Sequence, residues 1–320
     1  MTPGRGHRRA ARAAAGAALV VLVGGCAAPP PAEGPPPFRI AVGPDPEAAL
    51  LARTAGVLAQ EAGVPVALLE LAEVRSERQA VELGDADLYV GYSGQAWLEV
   101  LGRADPPVDP TAGLAAVASA DRERGLVWLL PGDGTGLEAP PANATFALFV
   151  AGPPAVDADL RTLSGLALRL GERPDAPLCV DEGFAARADG LGALLAAYGV
   201  RRDRPFLAAD PERAVAGVVA RDCLAGLSHA TDGRAWAAGL QPLVDDLRFF
   251  FALVPVPVVR ADALSEHPRL RASLAPLGRL STAALGRANA RVATGEGIAG
   301  VAAALAVALR DGAAGSGPGR

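Results

Sequence analysis

In two segments of the chain, a buried strand is followed directly by a side chain that can contact a ligand. In the first, Leu88 and Val90 indicate the end of a buried strand and Ser93 the N-cap of the next helix, so Tyr92 lies at a strand-to-helix junction. In the second, an apolar strand over about 222–227 leads to His229. Ligands of open α/β sheets bind outside the carboxyl ends of the strands. The pattern predicts one shared cleft that receives a side chain from each strand end.

A catalytic role for the second segment is disfavoured. Ser228, His229 and Asp232 have the residue types of a nucleophile, a base and an acid, but three neighbours on one loop rarely point at each other. No nucleophile-elbow glycine pattern surrounds Ser228, and loss of His7 with a leader leaves no His/Cys metal cluster. The sequence therefore predicts a binding protein and no enzyme. His229 stays open between a ligand contact and a core histidine bonded to the backbone.

Composition limits the class of partner. The chain has 320 residues, of which 51% are hydrophobic, and this is enough for two domains with sizeable cores. All basic residues are Arg, and the formal net charge is −5. Removal of an Arg-rich leader takes the charge to about −9. No basic patch indicates nucleic acid binding.

The first residues have the three parts of an export signal. Residues 1–26 combine an Arg-rich start, an apolar run over 13–23 and small residues before Cys26. The run is too short to span a bilayer, which needs roughly 20 apolar residues. Its end resembles the lipobox of bacterial lipoproteins, which implies that Cys26 is acylated and anchors an exported protein to the outer face of the cytoplasmic membrane. The alternative is an ordinary secretory signal and a periplasmic protein. Pro-rich residues 27–37 predict a tether.

The remaining chain predicts two α/β lobes. Strands and helices alternate over 38–143, which indicates a parallel sheet. An apolar strand over 145–150 carries the chain into a second lobe, 144–251. A strand with prolines and the helices after it return the chain to the first lobe over 252–309, and 310–320 is predicted to be a flexible tail.

Five motifs occur in the order and spacing of one protein family. This chain matches each of the family's motifs in part. The family's motifs, with the residues of this chain that match them, are Asp-x-Tyr-x-Glu-Tyr-Thr-Gly-Thr at 87–95, Asn-Thr-Tyr-Ala-Leu at 144–148, Glu-Phe-x-x-Arg-x-Asp-Gly at 182–190 with one residue inserted, Tyr-Ser-Thr-Asp-Gly at 229–233 and Leu-x-Asp-Asp-x-x-Phe-Phe at 243–250. Through them the chain resembles the substrate-binding proteins of ABC importers for glycine betaine, choline and carnitine. The resemblance implies a type II periplasmic-binding-protein fold, with two α/β lobes of mainly parallel sheets joined by two crossovers around a ligand cleft. It implies an ABC permease and its ATPase as partners, and no cofactor.

The resemblance also implies which residues form the ligand site. In the family, an aromatic cage holds a quaternary ammonium by cation–π attraction, and an arginine pairs with the ligand's carboxylate. The resemblance places Tyr92, Phe146, His229 and Leu253 at the four cage positions. It places Arg187 and Gln95 at the two positions that bind the carboxylate. One tyrosine of four remains in the cage. We therefore expect a small carboxylated zwitterion to bind, with trimethylammonium groups held more weakly than in the relatives.

Two alternatives stay open at this point. Asp45 or Glu47, if it faces the cleft, would pair with a primary or secondary ammonium, which would favour an amino acid or an imino acid. The same closing scaffold would also serve a receptor that passes a signal to a membrane partner without transport.

Four further residues are predicted to be structural. Asp189 and Asp232 stand next to glycines and are expected to cap helix N-termini. Cys179 and Cys223 both belong to the second lobe, on strands that could be neighbours. Outside the cytoplasm they form either a disulfide or two buried thiols.

Overall fold

A computed structural model describes residues 36–71, 76–129, 141–152 and 160–312. The predicted leader, Cys26 and nearly all of the tether lie outside these residues, as does most of the predicted tail. Among the described residues, no helix is long and apolar enough to cross a membrane.

Short apolar strands alternate with helices through the first part of the chain. Helix α1 illustrates why they form, because the Asp45 side chain accepts a hydrogen bond from the Ala48 N–H at 2.7 Å and Pro46 occupies the first turn. The elements are β1 (Phe38–Val42), α1 (Pro46–Glu61), β2 (Val66–Glu70), α2 (Glu77–Glu82), β3 (Leu88–Tyr92), α3 (Ser93–Leu101), α4 (Ala112–Arg122) and β4 (Leu126–Trp128).

The second part of the chain repeats the alternation and then returns through a run of helices. Its elements are β5 (Phe146–Val150), α5 (Leu163–Glu172), β6 (Leu178–Val180), α6 (Glu182–Ala186), α7 (Leu191–Ala197), β7 (Phe206–Ala208), α8 (Pro211–Ala220), β8 (Ala225–His229), α9 (Gly233–Ala237) and β9 (Gln241–Pro242). The return comprises β10 (Pro255–Arg260), α10 (Ala261–Glu266), α11 (Leu270–Leu274), a 3-10 helix (Ala275–Arg279), α12 (Thr282–Ala293) and α13 (Ile298–Arg310).

The strands form two five-stranded sheets of the same topology. The first has the order β2-β1-β3-β10-β4 and the second the order β7-β6-β8-β5-β9. In each sheet the fourth strand, which enters from the other half of the chain, is antiparallel to both neighbours, and the other four strands share one direction. The prediction of two α/β lobes with mainly parallel sheets is confirmed.

The C-terminal helices pack on the first sheet's helical layer. Leu285 of α12 and Leu305 of α13 belong to one buried cluster with Leu50 and Leu58 of α1 and Phe38 of β1. This burial of apolar side chains fixes α1, whose N-terminus points towards the carboxyl ends of the strands.

Two extended segments carry the chain between the sheets and bond to each other. The Ala144 N–H donates to the Leu253 carbonyl at 2.8 Å, and the Asn143 side chain accepts from the Leu253 N–H at 2.8 Å. The prediction that Ser93 caps α3 is wrong, because the Ser93 hydroxyl donates to the Ala252 carbonyl at 3.2 Å and accepts from the Val254 N–H at 3.0 Å. Tyr92 takes the N-cap position without a side-chain bond.

The two aspartates predicted as caps differ in outcome. Asp232 caps α9 as predicted, since its carboxylate accepts a hydrogen bond from the Arg234 N–H at 2.8 Å. The prediction for Asp189 is wrong: Gly190 is the N-cap of α7, and no side chain caps that helix. Asp189 instead accepts a charge-assisted bond from Arg187 Nε at 2.9 Å, because a guanidinium is a stronger partner than a backbone N–H.

The cysteines of the second sheet are bonded. A disulfide joins Cys179 of β6 to Cys223, which lies just before β8, and their Cα atoms are 5.7 Å apart. The bond closes a loop with a sequence separation of 44 residues and crosses beneath α8, where Gly217 approaches the sulfur atoms.

Candidate functional site

The carboxyl ends of β3 and β8 open onto one cavity of about 920 Å³. Tyr92 and His229, the last residues of these strands, both line it. The start of α1 and the last turns of α12 supply further walls. The two strand ends therefore meet one cavity, as the sequence predicts.

The wall on the side of the first sheet is polar and half-buried. Glu47, in the first turn of α1, accepts a hydrogen bond from the Tyr92 hydroxyl at 2.9 Å and from Asn289 Nδ2 at 2.7 Å. Asn289 Nδ2 also donates to the Thr231 carbonyl at 2.9 Å. Glu47 thus joins residues from α1, β3 and α12, and Asn289 extends the contact to the segment after β8.

Burial controls the ionisation of this wall. The pKa of Glu47 is raised chiefly because the carboxylate is desolvated, while hydrogen bonds from Thr231, Tyr92 and Asn289 oppose the shift and nearby Asp45 adds to it. The pKa of Tyr92 is raised well above its usual value, first by burial and then by the negative charge of Glu47. Tyr92 therefore stays a neutral hydrogen-bond donor.

The wall on the side of the second sheet is aromatic. The His229 ring stacks on Phe146, with ring centroids 4.9 Å apart and an interplanar angle of 17°. Phe146 in turn packs against Phe184 at 5.6 Å and Phe250 at 6.0 Å. One face of His229 is thus supported by a cluster of phenylalanines, and the residue lines the cavity.

The surroundings of His229 favour its neutral form by lowering its pKa. Desolvation lowers its pKa from 6.5, and the nearby charges of Asp232 and Asp45 only partly oppose the shift. A neutral imidazole can present a π face without repelling a cation.

Four of the six predicted ligand-binding residues line the cavity. They are Tyr92, Gln95, His229 and Leu253. Phe146 stands behind His229 as its stacking partner. Arg187 lies outside the lining, with its side chain 46% exposed and paired with Asp189. Contact of any of these residues with a ligand stays a prediction.

Sequence reasoning missed Asn289 and Thr231, and it considered Glu47 only on condition that the side chain faces the cleft. All three line the cavity. The acidic residue in the first turn of α1 was a usable signal for Glu47. Nothing in the pattern of α12 marks Asn289, which is 242 residues from its partner Glu47 in the sequence.

Helices α9 and α12 close one side of the cavity by a close contact. A Cβ atom on Gly233 would stand 2.3 Å from the Asn289 carbonyl oxygen, and one on Gly286 would stand 2.2 Å from Trp236 Nε1. The absence of side chains at these glycines lets the two helices approach, and this holds Thr231 against Asn289.

The geometry of the loop after β8 does not form a catalytic triad. The Ser228 hydroxyl donates to the Asp232 carboxylate and not to His229, and Asp232 is occupied as the cap of α9. Within the described part of the chain, no three His, Cys, Asp or Glu side chains are grouped to hold a metal ion.

Two α/β halves with identical strand order, joined by two crossovers and sharing one cavity at their strand ends, define the class of solute-binding proteins with the type II periplasmic fold. A family described as the substrate binding domain of ABC-type glycine betaine transport systems matches residues 36–306, and the chain belongs to this family. Substrate-binding proteins of the family are extracytoplasmic and are not enzymes.

Named relatives support this assignment. The glycine-betaine-binding protein of Pseudomonas aeruginosa is 31% identical over 227 residues, which cover 67% of this chain and 69% of that protein. The glycine betaine-binding protein YehZ of Escherichia coli is 29% identical over 267 residues, or 80% of this chain and 85% of that one.

Solved structures show the same fold. Ligand-free YehZ from Escherichia coli superposes with a TM-score of 0.74 at 28% identity, covering 86% of this chain and 99% of that one. A protein described as a glycine betaine/carnitine/choline ABC transporter gives a TM-score of 0.72 at 23% identity, covering 83% of this chain and 96% of that one.

Proposed function

We propose that the chain captures a small quaternary-ammonium zwitterion of the glycine betaine type and delivers it to an ABC permease driven by its ATPase. The observation that carries the proposal is the single cavity at the ends of β3 and β8, lined by Tyr92 and His229, in a chain of this family. A cavity of about 920 Å³ is within the size range of sites for small organic ligands.

The two aromatic side chains give the ammonium its contacts. Each ring that faces a cation contributes about 0.5–2 kcal/mol. Tyr92 and neutral His229 offer two such rings, while Leu253 offers only apolar contact. Phe146 contributes by holding His229 in place. This is the basis for expecting weaker trimethylammonium binding than in a site with four rings.

Arg187 is proposed to pair with the ligand's carboxylate when the two lobes close. It follows β6, which neighbours β8 in the second sheet, and its present partner Asp189 is exposed and replaceable. Gln95 faces the cavity from the other side and is proposed as a hydrogen-bond donor to the same carboxylate. Closure removes water from the site and strengthens both contacts.

The membrane anchor remains a proposal from the sequence. Acylation of Cys26 and the tether over 27–37 would hold the protein at the outer face of the cytoplasmic membrane beside its permease. Mass spectrometry of the mature N-terminus tests it, because a diacylglyceryl Cys26 is expected and an unmodified N-terminus at another residue would contradict it.

Calorimetric titration of residues 37–320 with glycine betaine, choline, carnitine, proline and amino acids tests the ligand. A solute at about 100 times its Kd also stabilises the fold by about 2.7 kcal/mol, which a thermal-shift screen detects. We expect binding of glycine betaine. Binding of proline or another amino acid without binding of any quaternary ammonium would contradict the proposal.

A pair of matched variants tests Arg187. Arg201 bonds Asp203 through Nε at 3.0 Å in the same two-residue spacing that Arg187 uses with Asp189, and it is also exposed. Arg187→Ala should weaken glycine betaine binding by about tenfold or more and leave choline, which lacks a carboxylate, nearly unchanged. Arg201→Ala should change neither. Equal effects of the two variants would remove Arg187 from the site.

A further inference from the structure

We propose that Glu47 is a specificity-determining residue of this cavity, whose carboxylate is the counter-charge for the ammonium group of the solute. The proposal rests on the proposed function, because it assigns a role within the same site. It would explain how a site with few aromatic rings selects a cation.

The first argument is that Glu47 is a half-buried carboxylate without a cationic partner. Its oxygens accept hydrogen bonds from Tyr92 and Asn289, which is the arrangement expected of an ionised carboxylate. Its position in the first turn of α1 adds the favourable field of the helix N-terminus. Yet among the described residues no Arg or His forms an ion pair with it. A partly desolvated charge without a counter-charge is costly, and a cationic ligand would supply that counter-charge.

The second argument is the charge around the cavity. Asp45, Glu77 and Asp232 also line it. The guanidinium in the lining, Arg234, already pairs with Asp232 at 3.1 Å and with Glu212 at 3.3 Å. The cavity is therefore negative on the side of α1, and this field attracts a cation and repels an anionic group.

The third argument is that Glu47 improves the ring beside it. The Tyr92 hydroxyl donates a hydrogen bond to Glu47. This bond increases the electron density of the phenol ring and strengthens the attraction of the ring for a cation. The same hydrogen bond fixes the orientation of the ring. Glu47 thus acts on the ammonium both by its own charge and through Tyr92, while Leu253 of the same lining offers only apolar contact.

The test compares choline with 3,3-dimethyl-1-butanol, which has the same shape but carries a carbon in place of the charged nitrogen. Both are titrated into the wild-type protein, Glu47→Gln and Glu61→Gln. Glu61 is the matched control, because it is an acidic residue at the other end of α1, outside the lining of the cavity, where it pairs with Arg310 at 3.2 Å. Glu47→Gln should raise the Kd of choline by at least about tenfold and that of the neutral alcohol by less than about twofold. Glu61→Gln should change the choline Kd by less than about twofold.

Each outcome decides the question. Equal weakening of both ligands by Glu47→Gln would give the residue a structural role and overturn the proposal, as would no effect on choline. Failure of the wild-type protein to bind choline and every other quaternary ammonium would overturn the proposed function as well, and this result is distinct from the other two.

A second measurement applies if Glu47→Gln does not fold. Choline keeps its charge at all pH values, so its affinity reports the charges of the site. The titratable and charged groups around Glu47 are Asp45 on α1, Glu77 on α2, Tyr92 on β3, and His229, Asp232 and Arg234 on and after β8. Because burial raises the pKa of Glu47, its charge should be lost at higher pH than that of an ordinary glutamate. In a His229→Phe protein, choline binding should weaken on acidification while binding of the neutral alcohol stays constant. Parallel pH profiles would overturn the proposal.

Discussion

The two sheets have the same strand order, but their central strands end in different surroundings. Strand β3 of the first sheet and β8 of the second occupy equivalent places and end at Tyr92 and His229. Opposite Tyr92 on the antiparallel neighbour stands Pro255, whereas opposite His229 stands Phe146. The neighbouring strand therefore offers Tyr92 no aromatic ring, and Tyr92 is held by a hydrogen bond to Glu47. His229 is held by stacking on Phe146.

The difference shows that one topology supports two kinds of wall. The polar wall depends on residues far apart in the sequence, since Glu47 and Asn289 come from opposite ends of the folded chain. The aromatic wall depends on neighbours within one sheet. The second sheet also carries the disulfide, which stabilises the half in which the strands are shortest. Three changes test how far the two halves differ.

Removal of the disulfide should have the largest effect. Closure of a loop with a separation of 44 residues limits the unfolded chain, and its loss is expected to reduce the free energy of unfolding by about 4 kcal/mol. The Cys179→Ala/Cys223→Ala protein should still bind its solute with unchanged Kd, because neither residue lines the cavity. Urea denaturation and calorimetry measure the two quantities.

The control for the disulfide is the wild-type protein after reduction, which should lose a similar amount of stability. Equal stability of the oxidised and reduced proteins would mean that the second half does not depend on the bond. A loss of affinity in the double variant would mean that the aromatic wall is coupled to it.

Truncation of Phe146 should have the next largest effect. Phe146→Ala removes the contacts with His229, Phe184 and Phe250, and we expect a loss of about 3 kcal/mol in the free energy of unfolding. The solute affinity should also fall, because His229 loses the ring that orients it. Phe146→Leu serves as the control, since it keeps most of the buried volume but not the stacking.

The two Phe146 variants separate packing from stacking. Phe146→Leu should retain most of the stability and show a clear part of the affinity loss. If it binds like the wild-type protein, the stacking does not orient His229, and the aromatic wall is no more than apolar packing.

The sequence was sufficient to predict the architecture and the two residues at the strand ends that line the cavity. Alternating apolar strands and helices predict two α/β lobes, and the rule that ligands bind at strand ends places Tyr92 and His229 in one cavity. Cys179 and Cys223 could be placed in one lobe but not paired, because the pairing depends on how closely β6 and β8 approach.

The polar details depend on tertiary contacts that no local pattern contains. The Ser93 hydroxyl bonds to a crossover segment about 160 residues later, which competes with capping of its own helix. Asn289 reaches Glu47 only because α12 packs near the start of α1, and glycine at 286 allows α9 to close against it. Arg187 is held by its ion pair with Asp189, and the motif at 182–190 does not predict that these two residues pair.

Acidification should produce the smallest effect and should act on both walls. The pKa of His229 is lowered in the folded protein, so folding favours the neutral ring. As the pH falls through 6.5, the pKa of this histidine in the unfolded chain, the unfolded chain binds a proton more readily than the folded one. The free energy of unfolding therefore decreases. Further acidification charges the folded ring, which then repels a cationic head group. Between pH 7.5 and 5.5 we expect the Kd for glycine betaine to rise by roughly threefold.

His229→Phe separates the two walls in this pH range. The variant keeps a ring that can stack on Phe146 but cannot be protonated, so the part of the affinity loss that comes from His229 should disappear. The part that remains belongs to the polar wall, where the raised pKa of Glu47 causes its negative charge to be lost on acidification. Calorimetry at both pH values measures each part. An unchanged pH profile in His229→Phe would show that only the polar wall responds to pH, because the aromatic wall would then contribute no titrating group to binding.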